Sequence, residues 1–277
     1  MPGDGRSPRL SRVLVTNDDG IDAPGLAVAE AIAAAIADEV WVVAPARDQS
    51  GRGQAITVRT PVDVITHGPR RHAVTGTPAD CVLLALAHWL ADAPPDLVIA
   101  GVNRGANISD TIVYSGTVGA ALAAEHAGLC AVALSQAFRG PPETADFSPA
   151  IDYGQCVVTQ LLTQAAREPA GRYRGAWSVN FPAARHETPI QGIGWARGAR
   201  GTAVRPRAER VPGHEERFQL AFARGATPVV DPQSDVAVLR ARRISVMPLT
   251  NERCDLTVFE SATNRRDWHL DKTGSAR

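Results

Sequence analysis

The first half of the chain alternates short apolar runs with longer Ala-rich segments of helical length. Residues 12–16 form one apolar run, and Val40-Trp41-Val42-Val43-Ala44 forms a second, of the kind strands show when both faces of a parallel sheet are covered. Residues 97–100 and 131–134 continue the series. Between these runs, helices are predicted over about residues 25–37, 79–90 (stopped by Pro94-Pro95) and 117–126, the last with Gly128 as its C-cap. Alternating strand and helix signals predict an α/β fold with a mostly parallel sheet and flanking helices. Short strands are also expected at residues 56–59 and 62–66, on either side of Pro61.

After the Pro-rich loop 140–145 a helix is predicted near residues 149–166, and then the pattern loosens. Runs at 176–180, 219–222 and 244–246 read as strands separated by segments rich in Arg, Gly and Pro. This region reads as a β-rich C-terminal extension on the α/β core, of a kind that serves oligomerisation.

Composition narrows the function classes. The 277 residues are 44% hydrophobic and 21% charged, as in ordinary globular proteins, with 29 basic and 29 acidic residues. A net charge of zero and no basic domain argue against a nucleic-acid polymer as partner. Cys81, Cys130, Cys156 and Cys254 are dispersed without a CxxC pair, which predicts reduced thiols in a cytoplasmic protein. The polar N-terminus lacks an apolar core and reads as a flexible leader, and no apolar stretch is long enough to span a bilayer.

The candidate chemistry begins where the first strand ends, at Thr16-Asn17-Asp18-Asp19-Gly20. Neighbouring carboxylates repel unless a cation lies beside them, so Asp18 and Asp19 suggest a hard metal ion, although Asp and Gly are also ordinary turn residues. If the strands are parallel, the loops after residues 16, 45 and 100 open on one edge of the sheet, where α/β folds bind ligands. They offer Ser50, Asn103 and Asn107 beside the carboxylates. These oxygen donors suit Mg²⁺ or Mn²⁺ better than a soft metal, while Ser50 and the asparagines taken singly also fit turn geometry. Tyr114-Ser115-Gly116-Thr117-Val118 leads into a helix whose N-terminus can bind an anion, with Ser115 serving equally as an N-cap. A metal beside an anion site implies phosphate chemistry. The chain has no GxxxxGK[ST], no GxGxxG after the first strand, and a single lysine, Lys272. P-loop NTPases, dinucleotide-binding units, receiver domains and haloacid dehalogenase-type phosphatases are therefore poor fits.

These blocks resemble the SurE (survival protein E) nucleotidases. The similarity runs through Val13–Gly20 into Ile21-Asp22-Ala23-Pro24-Gly25, then Val43-Ala44-Pro45-Ala46-Arg47-Asp48-Gln49-Ser50-Gly51 and Gly76-Thr77-Pro78-Ala79-Asp80-Cys81-Val82. It continues through Ala100-Gly101-Val102-Asn103-Arg104-Gly105-Ala106-Asn107 and residues 114–118, with weaker echoes at Val179-Asn180-Phe181-Pro182, Ser234-Asp235 and Ser245-Val246-Met247-Pro248-Leu249. The resemblance implies a Rossmann-like single domain over residues 1–277: a leader at 1–11, a core over about 12–140, and remaining core with an oligomerisation extension over about 141–277. It implies hydrolysis of nucleoside 5′-monophosphates, with polyphosphate as a further substrate, by a homodimer or homotetramer. Asp18 and Asp19 would be catalytic and would hold one Mg²⁺ or Mn²⁺ with Ser50 and Asn103, while Asn107, Ser115, Gly116 and Thr117 would bind phosphate. The chain departs from the family pattern at Gln54, Ser109, Thr111, Ala123 and Cys130. Those departures leave a second reading, a catalytically weak nucleotide-binding or scaffold protein on the same fold.

Overall fold

The computed structural model describes residues 9–167, 173–183, 189–199, 205–223 and 231–251. In chain order the elements are β1 (Leu10–Thr16), α1 (Pro24–Ile36), β2 (Ala37–Pro45), β3 (Val64–Gly68), β4 (Arg71–Val74), α2 (Pro78–Leu84) and β5 (Leu97–Arg104). There follow α3 (Gly116–His126), β6 (Ala131–Gln136), α4 (Ser148–Gln164), the two-residue strands β7 (Ala166–Arg167) and β8 (Tyr173–Arg174), and β9 (Ala176–Phe181). The series ends with β10 (Ile193–Trp195), β11 (Arg205–Arg210), β12 (Phe218–Ala223), α5 (Asp235–Arg240) and β13 (Ile244–Leu249).

Nine strands form one sheet in the order β10-β13-β9-β6-β5-β1-β2-β4-β3. The six from β9 to β4 are mutually parallel, while β3 runs antiparallel to β4 and β13 antiparallel to β9. Alternate residues of a strand point to opposite faces, and β1 shows the result. Val13 and Val15 join a core under α1 and α4 with Leu26, Ile32, Val158 and Leu161. Leu14 joins the opposite core under α2 and α3 with Val82, Ala85, Ala121 and Ala124. The strand order reverses at β1, which has β2 on one side and β5 on the other. In open α/β sheets such a switch point opens a crevice at the carboxyl ends of the strands.

Four local expectations are corrected. β1 starts at Leu10, inside the stretch expected to be leader, because Leu10 is buried and pairs with Ala37 of β2. Residues 56–59 form no strand. There the Thr57 N–H donates to Asp80 at 2.8 Å instead of to a neighbouring strand. The second expected segment is real but shifted to β3, which turns back into β4. The helix expected over residues 79–90 is a short α2, capped by the Thr77–Asp80 capping box, that widens into a π-helical turn at Ala85–Trp89. In the C-terminal half β9, β10 and β13 extend the main sheet, while among the described residues β11 and β12 pair only with each other, as a hairpin.

Candidate active site

Asp18 and Asp19 leave the end of β1 through a turn fastened by Asn17. The Asn17 side chain donates to the Gly20 carbonyl at 2.8 Å and accepts the Gly20 N–H at 3.2 Å. Gly20 takes φ +107°, a conformation that L side chains rarely adopt. Asp18 is 4% exposed and accepts the Thr117 hydroxyl at 2.5 Å. Burial, opposed by Thr117 and reinforced by the charge of Asp19, pushes its carboxyl up to about 6. Asp19 is also raised by burial, against the pull of Arg104, whose N–H donates to it at 3.0 Å. The Arg104 guanidinium lies 3.9 Å from the other Asp19 oxygen.

The other candidate residues arrive from loops on the same sheet edge. Gln49 donates its N–H to the Asp18 carbonyl at 2.8 Å, which fixes the β2 loop beside the carboxylates. Ser50, the next residue, is exposed, and its N–H donates to Asp48 at 2.7 Å. Asn103, the last residue but one of β5, donates its side-chain amide to the Gly105 carbonyl at 2.8 Å, so its own amide oxygen remains available as a ligand. Asn107 donates to Ser135 at 2.9 Å and to Thr117 at 3.4 Å. Asn107, Thr117 and Asp18 are thus joined in one hydrogen-bonded chain.

Ser115 is the N-cap of α3 and accepts the Val118 N–H at 3.1 Å. Gly116 has a second reason to be glycine besides any ligand. A β-carbon there would lie 2.8 Å from Asp18 Cβ and 3.1 Å from Pro78. Beside Asp19 opens a cleft of about 290 Å³, lined by Arg47, Arg104, Phe147 and the start of α1. The Thr77-Pro78-Ala79-Asp80 block serves structure: Asp80 caps α2 and accepts both donors of Thr57.

The arrangement suits a divalent cation. Of two adjacent, largely buried carboxylates only Asp19 has a guanidinium at ion-pair distance among the described residues, and the donors around them are hard oxygens. No group of three His, Cys, Asp or Glu residues that could hold a metal occurs among the described residues. A bound ion would therefore depend on the hydroxyl and amide oxygens of Ser50 and Asn103.

A model of the family described as survival protein SurE matches residues 13–204, which include every residue placed at this site. The chain belongs to the SurE family. It is 43% identical over 251 residues to 5′-nucleotidase SurE of Azorhizobium caulinodans, covering 88% of this chain and 94% of that one. It is 40% identical over 248 residues to 5′-nucleotidase SurE 1 of Burkholderia lata, covering 89% and 93% respectively. The crystal structure of the SurE protein from Aquifex aeolicus matches with a TM-score of 0.75 and 28% identity, over 92% of this chain and all of that one.

Within this SurE site, sequence reasoning missed Asn180. It exchanges two hydrogen bonds with the Asn107 backbone, accepting the N–H at 2.8 Å and donating to the carbonyl at 3.1 Å. Its place one residue before the end of β9, next to β6 in the sheet, and the family-like block at 179–182 were the available signals. Gln49 was missed for a different reason: it contributes a backbone N–H, which no residue type advertises.

Proposed function

We propose that this SurE chain is a phosphomonoesterase that hydrolyses nucleoside 5′-monophosphates to nucleoside and phosphate with the help of one divalent ion, Mg²⁺ or Mn²⁺. The observation that carries the proposal is the Asp18–Asp19 pair at the switch point, bonded through Thr117 to the start of α3. Asp18, Asp19, Ser50 and Asn103 would hold the ion, which neutralises phosphoryl charge and makes a bound water more acidic. Asn107, Ser115, Gly116 and Thr117 hold the phosphate at the N-terminus of α3, where the helix dipole favours an anion. Asp18 and Asp19 orient the attacking water. Its oxygen bonds to phosphorus as the ester bond breaks, and the departing nucleoside oxygen takes up a proton. The cleft between Arg47, Arg104 and Phe147 is the place for the rest of the substrate.

Phosphate release from a panel of nucleoside monophosphates and short polyphosphate, after chelation and after return of Mg²⁺ or Mn²⁺, tests this reading. Metal-restored release supports it and decides whether polyphosphate is a substrate. Release from no substrate with either ion leaves a nucleotide-binding or scaffold protein. A cytoplasmic location is supported by free Cys81, Cys130 and Cys156; among the described residues no helix is long and apolar enough to cross a membrane. A homodimer or homotetramer is supported by the β11–β12 hairpin, which exposes Phe218 and Leu220 and, among the described residues, pairs with no other strand. Sedimentation equilibrium reads that state directly.

A further inference from the structure

The loop from Asn107 to α3 passes through one conformation that its residue resists. Ser109 takes φ +60°, in the left-handed region that favours glycine, although it is 7% exposed and has no solvent to relax into. What holds it there comes from the far end of the described chain. Asp235, 1% exposed, accepts the Ser109 N–H at 2.7 Å on one carboxylate oxygen. Its other oxygen accepts the Ala199 N–H at 3.0 Å and the Val236 N–H at 2.7 Å. The Ser109 hydroxyl closes the triangle by donating to the Ala199 carbonyl at 3.3 Å.

The N-cap bond of the Asp235 helix is made by Ser234, which accepts the Ala237 N–H at 3.2 Å, and two of the three amides that Asp235 accepts, those of Ser109 and Ala199, lie outside that helix. Nor does Asp235 form an ion pair among the described residues. A buried carboxyl group held only by backbone amides among the described residues is costly to desolvate, so its presence here calls for a specific task. The geometry supplies one. Two residues before Ser109, Asn107 donates to Thr117, and Thr117 donates to Asp18.

We infer that Asp235 is a positioning residue for hydrolysis. It fixes the left-handed turn at Ser109 and so aims Asn107 at the phosphate. The inference rests on the nucleotidase reading above. The clamp supplies for serine what glycine's conformational freedom would otherwise supply.

The test is Asp235→Asn, which keeps the shape but replaces one acceptor with a donor. If the amide oxygen stays with Ala199 and Val236, an NH₂ group confronts the Ser109 N–H. Expected for nucleoside monophosphate hydrolysis is a fall in kcat of about 10- to 100-fold, with KM changing less than about threefold. Ser109→Gly alone should stay within about twofold of wild type, and in the Asp235→Asn background it should restore kcat at least about threefold, because glycine takes φ +60° unaided. Unchanged kcat in a folded Asp235→Asn protein, or a loss that Ser109→Gly does not relieve, overturns the inference. If Asp235→Asn does not fold, the kcat criterion passes to Asp235→Glu, which keeps the charge but displaces both oxygens. An inactive wild type would instead refute the nucleotidase reading, and the positioning role with it.

Discussion

Gly116 and Asp18 occupy each other's space: a β-carbon on Gly116 would lie 2.8 Å from Asp18 Cβ and 2.9 Å from one of its carboxylate oxygens. Replacing a helical glycine by alanine ordinarily stabilises a protein by about 1 kcal/mol. At this position the sign reverses, because Pro78 closes the other side at 3.1 Å. Gly116→Ala should lower the thermal midpoint and cut kcat/KM by at least about tenfold, since a small displacement of a reacting group is costly. A stabilised, fully active variant would refute the packing argument.

Thr117→Val removes the hydroxyl that donates to Asp18 while preserving side-chain shape. Without that donor the carboxyl should rise above about 6, and the acid limb of the kcat/KM profile should move to higher pH. The half-saturating Mn²⁺ concentration should rise as well. Thr117→Ser, which keeps a hydroxyl, should stay close to wild type on both readouts.

Asp18 also makes the metal-free protein sensitive to base. Its folded pKa of about 6 lies above the ordinary 3.8, so its contribution is fully present below that ordinary value and is lost as pH rises through about 6. The difference amounts to about 3 kcal/mol. In chelator, lowering the pH from about 7 to about 5 should therefore raise the Asp18 contribution to the thermal midpoint. Asp18→Asn should abolish turnover yet unfold at a higher temperature than wild type near neutral pH. Mn²⁺ should raise the wild-type midpoint by binding the folded state and should have little effect on the variant.

His72 acts in the opposite direction. It is buried between Trp41 and Trp89, with ring centroids 6.1 and 4.2 Å away, and its Nε2 has no hydrogen-bond partner among the described residues. Burial lowers its pKa, so its contribution is present above the ordinary 6.5 and is lost as pH falls through the folded value. A midpoint-versus-pH curve for His72→Phe should lose less stability on acidification than wild type. His72→Ala, which empties the stack, should cost about 2–4 kcal/mol by chemical denaturation.

The sequence made the parallel core and its strand-end carboxylates legible because both depend on short-range pattern. Apolar runs such as Val40–Ala44 are long enough to identify a buried strand without its partners. Asp18, Asp19, Asn103 and Asn107 stand two to seven residues beyond strand positions that the pattern marks. What stayed hidden depends on distant company. Residues 56–59 have strand-like composition, yet Asp80 takes the Thr57 donor. Gly116 suggested room for phosphate, and its collision with Asp18 is visible only when α3 is set against β1. Asn180 and Asp235 act on Asn107 and Ser109 from 73 and 126 positions away, and no local spacing encodes such a meeting.

Those separations bear on when the enzyme comes into being during synthesis. Asp18 meets Thr117 across 99 positions, and Ser109 meets Asp235 across 126. A chain leaving the ribosome N-terminus first can pack β1 and α1 against β2 early, since those three elements are consecutive in the chain. The phosphate loop receives its clamp only once Asp235 has emerged and α5 has docked. Nascent chains and C-terminally clipped fragments would thus carry the acidic pair without a finished catalytic loop, and hydrolytic competence would be a late event of biosynthesis.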